Sequence, residues 1–114
     1  MRVRIKLWLD EDEQVLFGEG IRNLLLAIDQ TGSINQASEK LNMSYRRAWE
    51  RIHRAEERLG EALVISQTGG SHGGGSTLTD KGKELLRKYD QLEEEVAQFA
   101  IERFNELFIP NKQE

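Results

Sequence analysis

The sequence predicts a mainly α-helical fold with a small β component, an α+β domain, on three observations. Apolar residues recur at helical spacing in four separate stretches. Two other stretches, residues 2–9 and 63–67, have the character of strands. Five glycines among the seven residues 69–75 fit neither a helix nor a packed core, and mark a loop.

At 114 residues the chain fits one domain, residues 1–114, with a single modest core. Hydrophobic residues at 38% and charged residues at 32% describe a soluble globular protein. No run of apolar residues is long enough to span a membrane, and no signal peptide is visible, so a cytoplasmic protein without a membrane partner is expected. The absence of cysteine excludes disulfides, thiolate metal sites and cysteine nucleophiles. The net charge of −4 is unevenly spread. Between Ser44 and Arg58, five arginines stand against three glutamates, whereas from Tyr89 onward two cations stand against seven carboxylates.

In chain order, residues 2–9 alternate Arg2, Arg4 and Lys6 with Val3, Ile5, Leu7 and Leu9, as a half-buried strand does. The acidic run Asp10–Glu13 then turns the chain toward Val15, Leu16 and Phe17, giving a hairpin over 2–17. A calcium loop starting at Asp10 would need glycine where Val15 stands, so the acids read as a solvated turn. Ile21, Leu24, Leu25 and Ile28 mark a first helix that Gly32 ends. Ser33 with Gln36 three residues later forms a capping box for a second helix, whose apolar stripe is Ile34, Ala37 and Leu41. Asn42-Met43-Ser44 turns the chain and Ser44 caps a third helix. The three helices span 19–60.

Advancing about 100° per residue from Ser44 gathers Ala48, Ile52, Ala55 and Leu59 on a core-facing arc, with Tyr45 and Trp49 toward its edge. The opposite face collects Arg46, Arg47, Glu50, His53 and Arg54, while Arg51 and Arg58 lie on the flanks. A capped short helix, a tight turn and an arginine-bearing helix together propose a DNA-reading helix-turn-helix, with Trp49 expected mainly in the core beneath the reading face. After Gly60 closes that helix, Leu63–Gln67 and the glycine run give a wing over 63–79. Thr79 caps a long last helix over 80–108, in which Leu85, Tyr89, Leu92, Val96, Phe99, Phe104, Leu107 and Phe108 form a stripe near a 3.5-residue repeat. That stripe is too long for the core of so small a domain, so part of it is expected to pack on a second copy, with helix one contributing.

Chemistry for catalysis is not visible. His53 and His72 lack metal-site spacing, no P-loop or dinucleotide fingerprint accompanies the glycines, and Glu56-Glu57 and Glu93-Glu94-Glu95 read as solvated helix faces. A non-enzyme without cofactor or metal is expected.

The residues Gly32-Ser33-Ile34, Ala37, Leu41, Ser44, Ala48, Ile52, Leu59-Gly60, Leu63-Val64, Leu78-Thr79 and Gly82 resemble the winged helix-turn-helix shared by LysR-type regulators and the ModE family of molybdate regulators. Ser44-Tyr45-Arg46-Arg47-Ala48-Trp49 and the glycine wing, Thr68-Gly69-Gly70 through Gly73-Gly74-Gly75, are similar to the ModE N-terminal domain rather than to LysR proteins. The resemblance implies a homodimer joined through the first and last helices, with Leu24, Leu85, Tyr89, Leu92, Val96, Phe99 and Phe104 at the interface. It also implies that double-stranded DNA is bound by the helix from Ser44 and by the wing. Arg46, Arg47 and Arg54, with Tyr45, are then expected to read bases. Ser33, Gln36, Ser44, Gly69, Gly70, Ser71, His72, Gly73 and Thr77 are expected to meet phosphates.

Two departures stand out. The chain stops soon after the long helix, so the molybdate-binding domains of the family are not expected, and the sequence does not tell whether a separate effector-binding protein supplies a signal. Ser71 and His72 replace an expected basic residue and glycine in the wing, weakening that phosphate contact and making it pH-sensitive. The other reading is a protein–protein interaction module on the same winged scaffold, binding through its acidic helix.

Overall fold

The computed structural model describes residues 1–67 and 75–113. A hairpin, β1 (Leu9–Glu11) and β2 (Gln14–Phe17), precedes three helices, α1 (Glu19–Thr31), α2 (Ile34–Lys40) and α3 (Tyr45–Leu59). A second antiparallel hairpin, β3 (Val64–Gln67) and β4 (Gly75–Leu78), leads into the long helix α4 (Asp80–Phe108) and a short 3₁₀ turn, Pro110–Gln113. The order and layout are those of a winged helix-turn-helix.

Each helix boundary has a local cause. Gly32 and Gly60 end α1 and α3 in the left-handed conformation, at φ of 72° and 74°, and donate back to the carbonyls of Ile28 and Glu56. The hydroxyls of Ser33, Ser44 and Thr79 accept from the backbone N–H groups of Gln36, Arg47 and Gly82, capping α2, α3 and α4. The expected capping box at α2 is half formed: the Ser33 N–H donates to the Thr31 hydroxyl, at 3.3 Å, rather than to the Gln36 side chain. Between α2 and α3, Asn42 takes a positive φ of 57° and the Met43 N–H donates to the Ser38 carbonyl, at 2.9 Å, which tightens the turn.

The first hairpin is shorter than the alternation suggested. Only Leu9–Glu11 pairs with Gln14–Phe17, around a two-residue Asp12-Glu13 turn in which both φ values are positive. Residues 1–8 have no ladder partner among the described residues, yet their alternation survives, with Val3, Ile5 and Leu7 half-buried and Arg2, Arg4 and Lys6 exposed. The apolar phase lies along α4, where Val3 and Ile5 border a hollow with Ala97, Ala100 and Ile101. Side-chain burial against a helix, rather than strand pairing, therefore accounts for the period of two.

The core is built from Phe17, Ile21, Leu24, Leu25, Ile28, Ile34, Ala37, Ala48, Ile52, Ala55, Leu63, Leu78 and Tyr89. Two residues expected at a dimer interface belong to it. Leu24 is fully buried in its own domain. Tyr89 packs its ring on Phe17, with centroids 5.2 Å apart, and its hydroxyl donates to the Leu7 carbonyl at 2.8 Å. Burial raises the Tyr89 pKa, with the negative charges of Glu93 and Glu19 adding to the effect, so the phenol stays a neutral donor. Leu85 is half-buried and packs against this core. The i, i+3, i+4 stripe of α4 thus changes role along its length: its first turns close the domain, while Leu92, Val96, Phe99, Leu107 and Phe108 are exposed.

Arg22 locks α1 to α4. Its Nε and Nη2 donate to the two carboxylate oxygens of Asp90 at 2.8 and 3.0 Å, and this hydrogen-bonded pair raises the Arg22 pKa against the opposing effect of burial. At the start of α4, Gly82 is buried against the Leu63 backbone, and a Cβ there would run into the Leu63 carbonyl oxygen. Gly82→Ala is expected to destabilise the fold by about 1–3 kcal/mol, the range for overpacking that forces backbone shifts. Thermal or urea unfolding would measure it, and an unchanged midpoint would show that α4 shifts freely away from Leu63. No helix among the described residues is long and apolar enough to cross a membrane.

Candidate nucleic-acid interface

The outward surface of the domain is set by the seam along which α3 packs. Ala48, Ile52 and Ala55 are buried, and two of these three are small, so the helix sits close against its neighbours. The seam also corrects the placement of Trp49. The buried seam is taken by Ala48, Ile52 and Ala55, and Trp49 instead stands 45% exposed, its ring tilted at 46° to the His53 imidazole with centroids 3.8 Å apart. Tyr45, one turn earlier, is 50% exposed. The outer surface of α3 therefore carries an aromatic stripe, Tyr45-Trp49-His53, beside the arginines.

Arg46, Arg47 and Arg54 are all exposed. Arg46 Nε reaches Glu50 Oε2 at 3.4 Å, a loose surface pair that a stronger anionic partner would displace. Arg47 and Arg54 have no ion-pair partner among the described residues. With Ser44, Glu50 and the half-buried Arg51 these three line one shallow groove, so the guanidiniums that the helical wheel grouped are brought together in space. Arg58 faces elsewhere: its Nη1 donates to the Val15 carbonyl at 2.6 Å and fastens the first hairpin to α3.

Ser33 and Ser44 lie at the starts of α2 and α3, each with its hydroxyl oxygen accepting a backbone N–H, and Gln36 is exposed in the first turn of α2. In the wing, Val64 pairs with Leu78, Ile65 with Thr77, Ser66 with Ser76 and Gln67 with Gly75. Thr77 is exposed on β4. Gly69, Gly70, Ser71, His72 and Gly73 lie outside the described residues.

The wing is joined to the helices through its base. The Ser76 N–H donates to the Gly32 carbonyl at 2.9 Å, and an ideal Cβ at Gly75 would come within 2.9 Å of that same oxygen, so this glycine permits the approach. The Thr79 N–H donates to the Leu63 carbonyl at 2.9 Å. Glu56, which composition suggested was a solvated residue, is the third tie. Its Oε2 accepts from the Leu63 and Val64 N–H groups at 2.8 and 3.2 Å, while Oε1 lies 3.1 Å from His53 Nδ1. The sequence signal for this role is a carboxylate one turn before the Gly60 reversal, within reach of the strand that returns. Glu56→Ala is expected to cost about 2 kcal/mol, as hydrogen bonds to a charged acceptor do. Faster hydrogen exchange at Leu63 and Val64 would report it; unchanged protection would mean that the backbone bonds alone hold the wing.

These features, a capped helix after a tight turn, exposed guanidiniums and a hairpin fixed beside them, define the winged helix-turn-helix class. The model for the bacterial regulatory helix-turn-helix protein, lysR family, matches residues 23–83, and the chain belongs to that family. Among relatives, the molybdenum transport protein ModE of Azotobacter vinelandii is 36% identical over 105 residues, which is 92% of this chain and 38% of that protein. The DNA-binding transcriptional dual regulator ModE of Escherichia coli K12 is 38% identical over 81 residues, 70% of this chain and 31% of that protein. The chain thus spans about a third of the length of the curated relatives it matches. Among solved structures, ArgP from Mycobacterium tuberculosis aligns with a TM-score of 0.53 and 26% identity over 81% of this chain and 31% of that one. The BenM DNA-binding domain, solved in a complex with benA site 1 DNA, aligns at 0.51 and 22% identity over 68% and 82% of the two chains, which supports the fold.

Proposed function

We propose that this chain binds double-stranded DNA as a transcriptional regulator, in the manner of the ModE N-terminal region, and that it does so as a homodimer on a near-palindromic operator. The observation that carries the reading is the exposed cluster of Arg46, Arg47 and Arg54 on a helix whose start is capped and whose neighbour helix and wing are fixed by backbone bonds. In this reading the three arginines enter the major groove, where a guanidinium paired with guanine discriminates by about 1–3 kcal/mol. Tyr45 and Trp49 supply apolar contact to thymine methyls or sugars from the same face. Ser33, Gln36, Ser44, Thr77 and the wing residues Gly69, Gly70, Ser71, His72 and Gly73 supply phosphate contacts that set register.

Two copies related by a two-fold axis would meet half-sites whose centres lie about one or two turns apart, roughly 34 Å per turn. The acidic second half of α4 then serves to join protomers and stays clear of the duplex. Selection from a random DNA pool tests the reading. An enriched inverted repeat bound with a steep loss of affinity between 50 and 200 mM salt, about 10³-fold or more for six phosphate contacts, is the expected result. An unenriched pool would overturn it and favour a protein-interaction module, whose affinity would respond little to salt.

A further inference from the structure

A second cavity, which shares Arg51 and Arg54 with the arginine groove, lies between the first hairpin and the flank of α3, with a volume of about 290 Å³. One wall is Trp8, an indole 56% exposed. The facing wall carries Arg51, Arg54 and Arg58, successive along α3, and Lys6 stands on the lining as well. Glu19 is the one carboxylate among the lining residues. None of the three guanidiniums lies within ion-pair distance of a carboxylate among the described residues. Two glycines let the walls sit where they do. A Cβ at Gly18 would come within 2.8 Å of the Trp8 ring, and one at Gly20 within 2.7 Å of Arg51 Nη1.

Four cations about one carboxylate, partly shielded from water, leave the lining itself with an excess of positive charge, and the acidic hairpin tip, Asp10–Glu13, is not among the lining residues. Guanidinium forks match the planar oxygens of carboxylate and phosphate, and an indole facing them offers a platform for a flat apolar group. The volume is at the lower end of the range for small-molecule sites, about 300–1,000 Å³. We propose that this cavity binds a small organic anion, a carboxylate or phosphate monoester carrying a flat apolar body. The acid group sits on Arg51 and Arg54, and the body lies against Trp8. Arg54 also lines the groove shared by Arg46 and Arg47, so a bound anion takes up a guanidinium that the operator needs. Anion and operator then weaken each other reciprocally. That coupling rests on the DNA reading; the anion site itself does not.

The fluorescence test uses the full chain with Trp49→Phe, which leaves Trp8 as the one indole, and phenyl phosphate as probe; operator selection and affinity are measured with Trp49 retained, since that residue lies on the proposed DNA face. A saturable change in Trp8 emission with a Kd of about 1 mM or tighter is expected, with inorganic phosphate about tenfold weaker because it lacks the apolar body. Adding Arg51→Gln is expected to weaken phenyl phosphate about tenfold while the circular dichroism stays unchanged. If that variant does not fold, Arg54→Gln gives the same reading. In the presence of 10 mM phenyl phosphate, roughly ten times that expected Kd, affinity for a selected operator is expected to fall. A folded protein whose Trp8 does not respond overturns the proposal, and so does a titration that Arg51→Gln leaves unchanged. Should Trp8 stay silent while Arg51→Gln alone lowers operator affinity tenfold, the cavity's cations serve duplex phosphates and the small-anion site falls. A responding Trp8 in a protein that selects no operator would uphold the site and remove the DNA reading instead.

Discussion

Arg46→Ala combined with Arg47→Ala is expected to lower operator affinity by about 100-fold or more at fixed salt, since each guanidinium–guanine pair contributes about 1–3 kcal/mol. The fold should survive the change. Both side chains are exposed, and among the described residues the one ion pair they make is the 3.4 Å contact of Arg46 with Glu50, so unfolding should shift by no more than about 0.5 kcal/mol. The two effects are separable by fluorescence anisotropy on a selected operator and urea unfolding of the same preparation. Loss of discrimination among operator variants, and not only of affinity, is the signature of base reading. If affinity is unchanged at moderate salt, the arginines do not meet the duplex.

The second large effect is expected on α4. Val96→Glu with Phe99→Glu places two carboxylates in the exposed apolar stretch, where Phe99 is 65% exposed, beside the existing Glu93, Glu94 and Glu95. The variant should sediment as a monomer. It should also lose about 10²-fold or more in operator affinity, because each half-site is then bound without its tethered neighbour. The lone domain should remain folded, since the Arg22–Asp90 pair and the Tyr89 contacts that bind α4 to the core lie nearer its start. A variant that still sediments as a dimer would move the protomer contact elsewhere.

How far these residues were legible depends on the kind of force that places them. Helix ends were readable because their causes are local: Ser33, Ser44, Thr79, Gly32 and Gly60 each act within four residues of where they stand. The arginine groove was readable too, since one helix carries it and its period fixes which side chains share a face. Trp49 was misplaced because a wheel gives angle and not distance. The indole is near the apolar arc in angle, but Ala48, Ile52 and Ala55 take the buried seam and leave it exposed. Tyr89 and Leu24 were assigned to a partner because the α4 stripe is continuous in sequence, and only the packing of α1 and the hairpin shows where the domain's own core stops using it. The Glu56 clamp has a weak local signal, a carboxylate one turn before Gly60, whereas the cavity beside Trp8 joins residues far apart in the chain on different elements, and no local pattern announces it.

The meeting of three elements at Gly32 has a consequence for how such a domain changes over time. The Gly32 carbonyl receives the Ser76 N–H of the wing, Gly32 itself ends α1, and the following residue caps α2. Peptide groups, common to all residues, make the wing's attachments at this point and at the Leu63 carbonyl, and the half-buried Glu56 carboxylate makes the third, so its position relative to α3 owes little to the identity of the exposed side chains at positions 45, 46, 47 and 54. On the proposed DNA reading, substitutions at positions 45, 46, 47 and 54 would change which operator is read without moving the frame that presents them. On that reading, new specificities would be open to this scaffold by point substitution, each tested by selection with its stability held nearly constant.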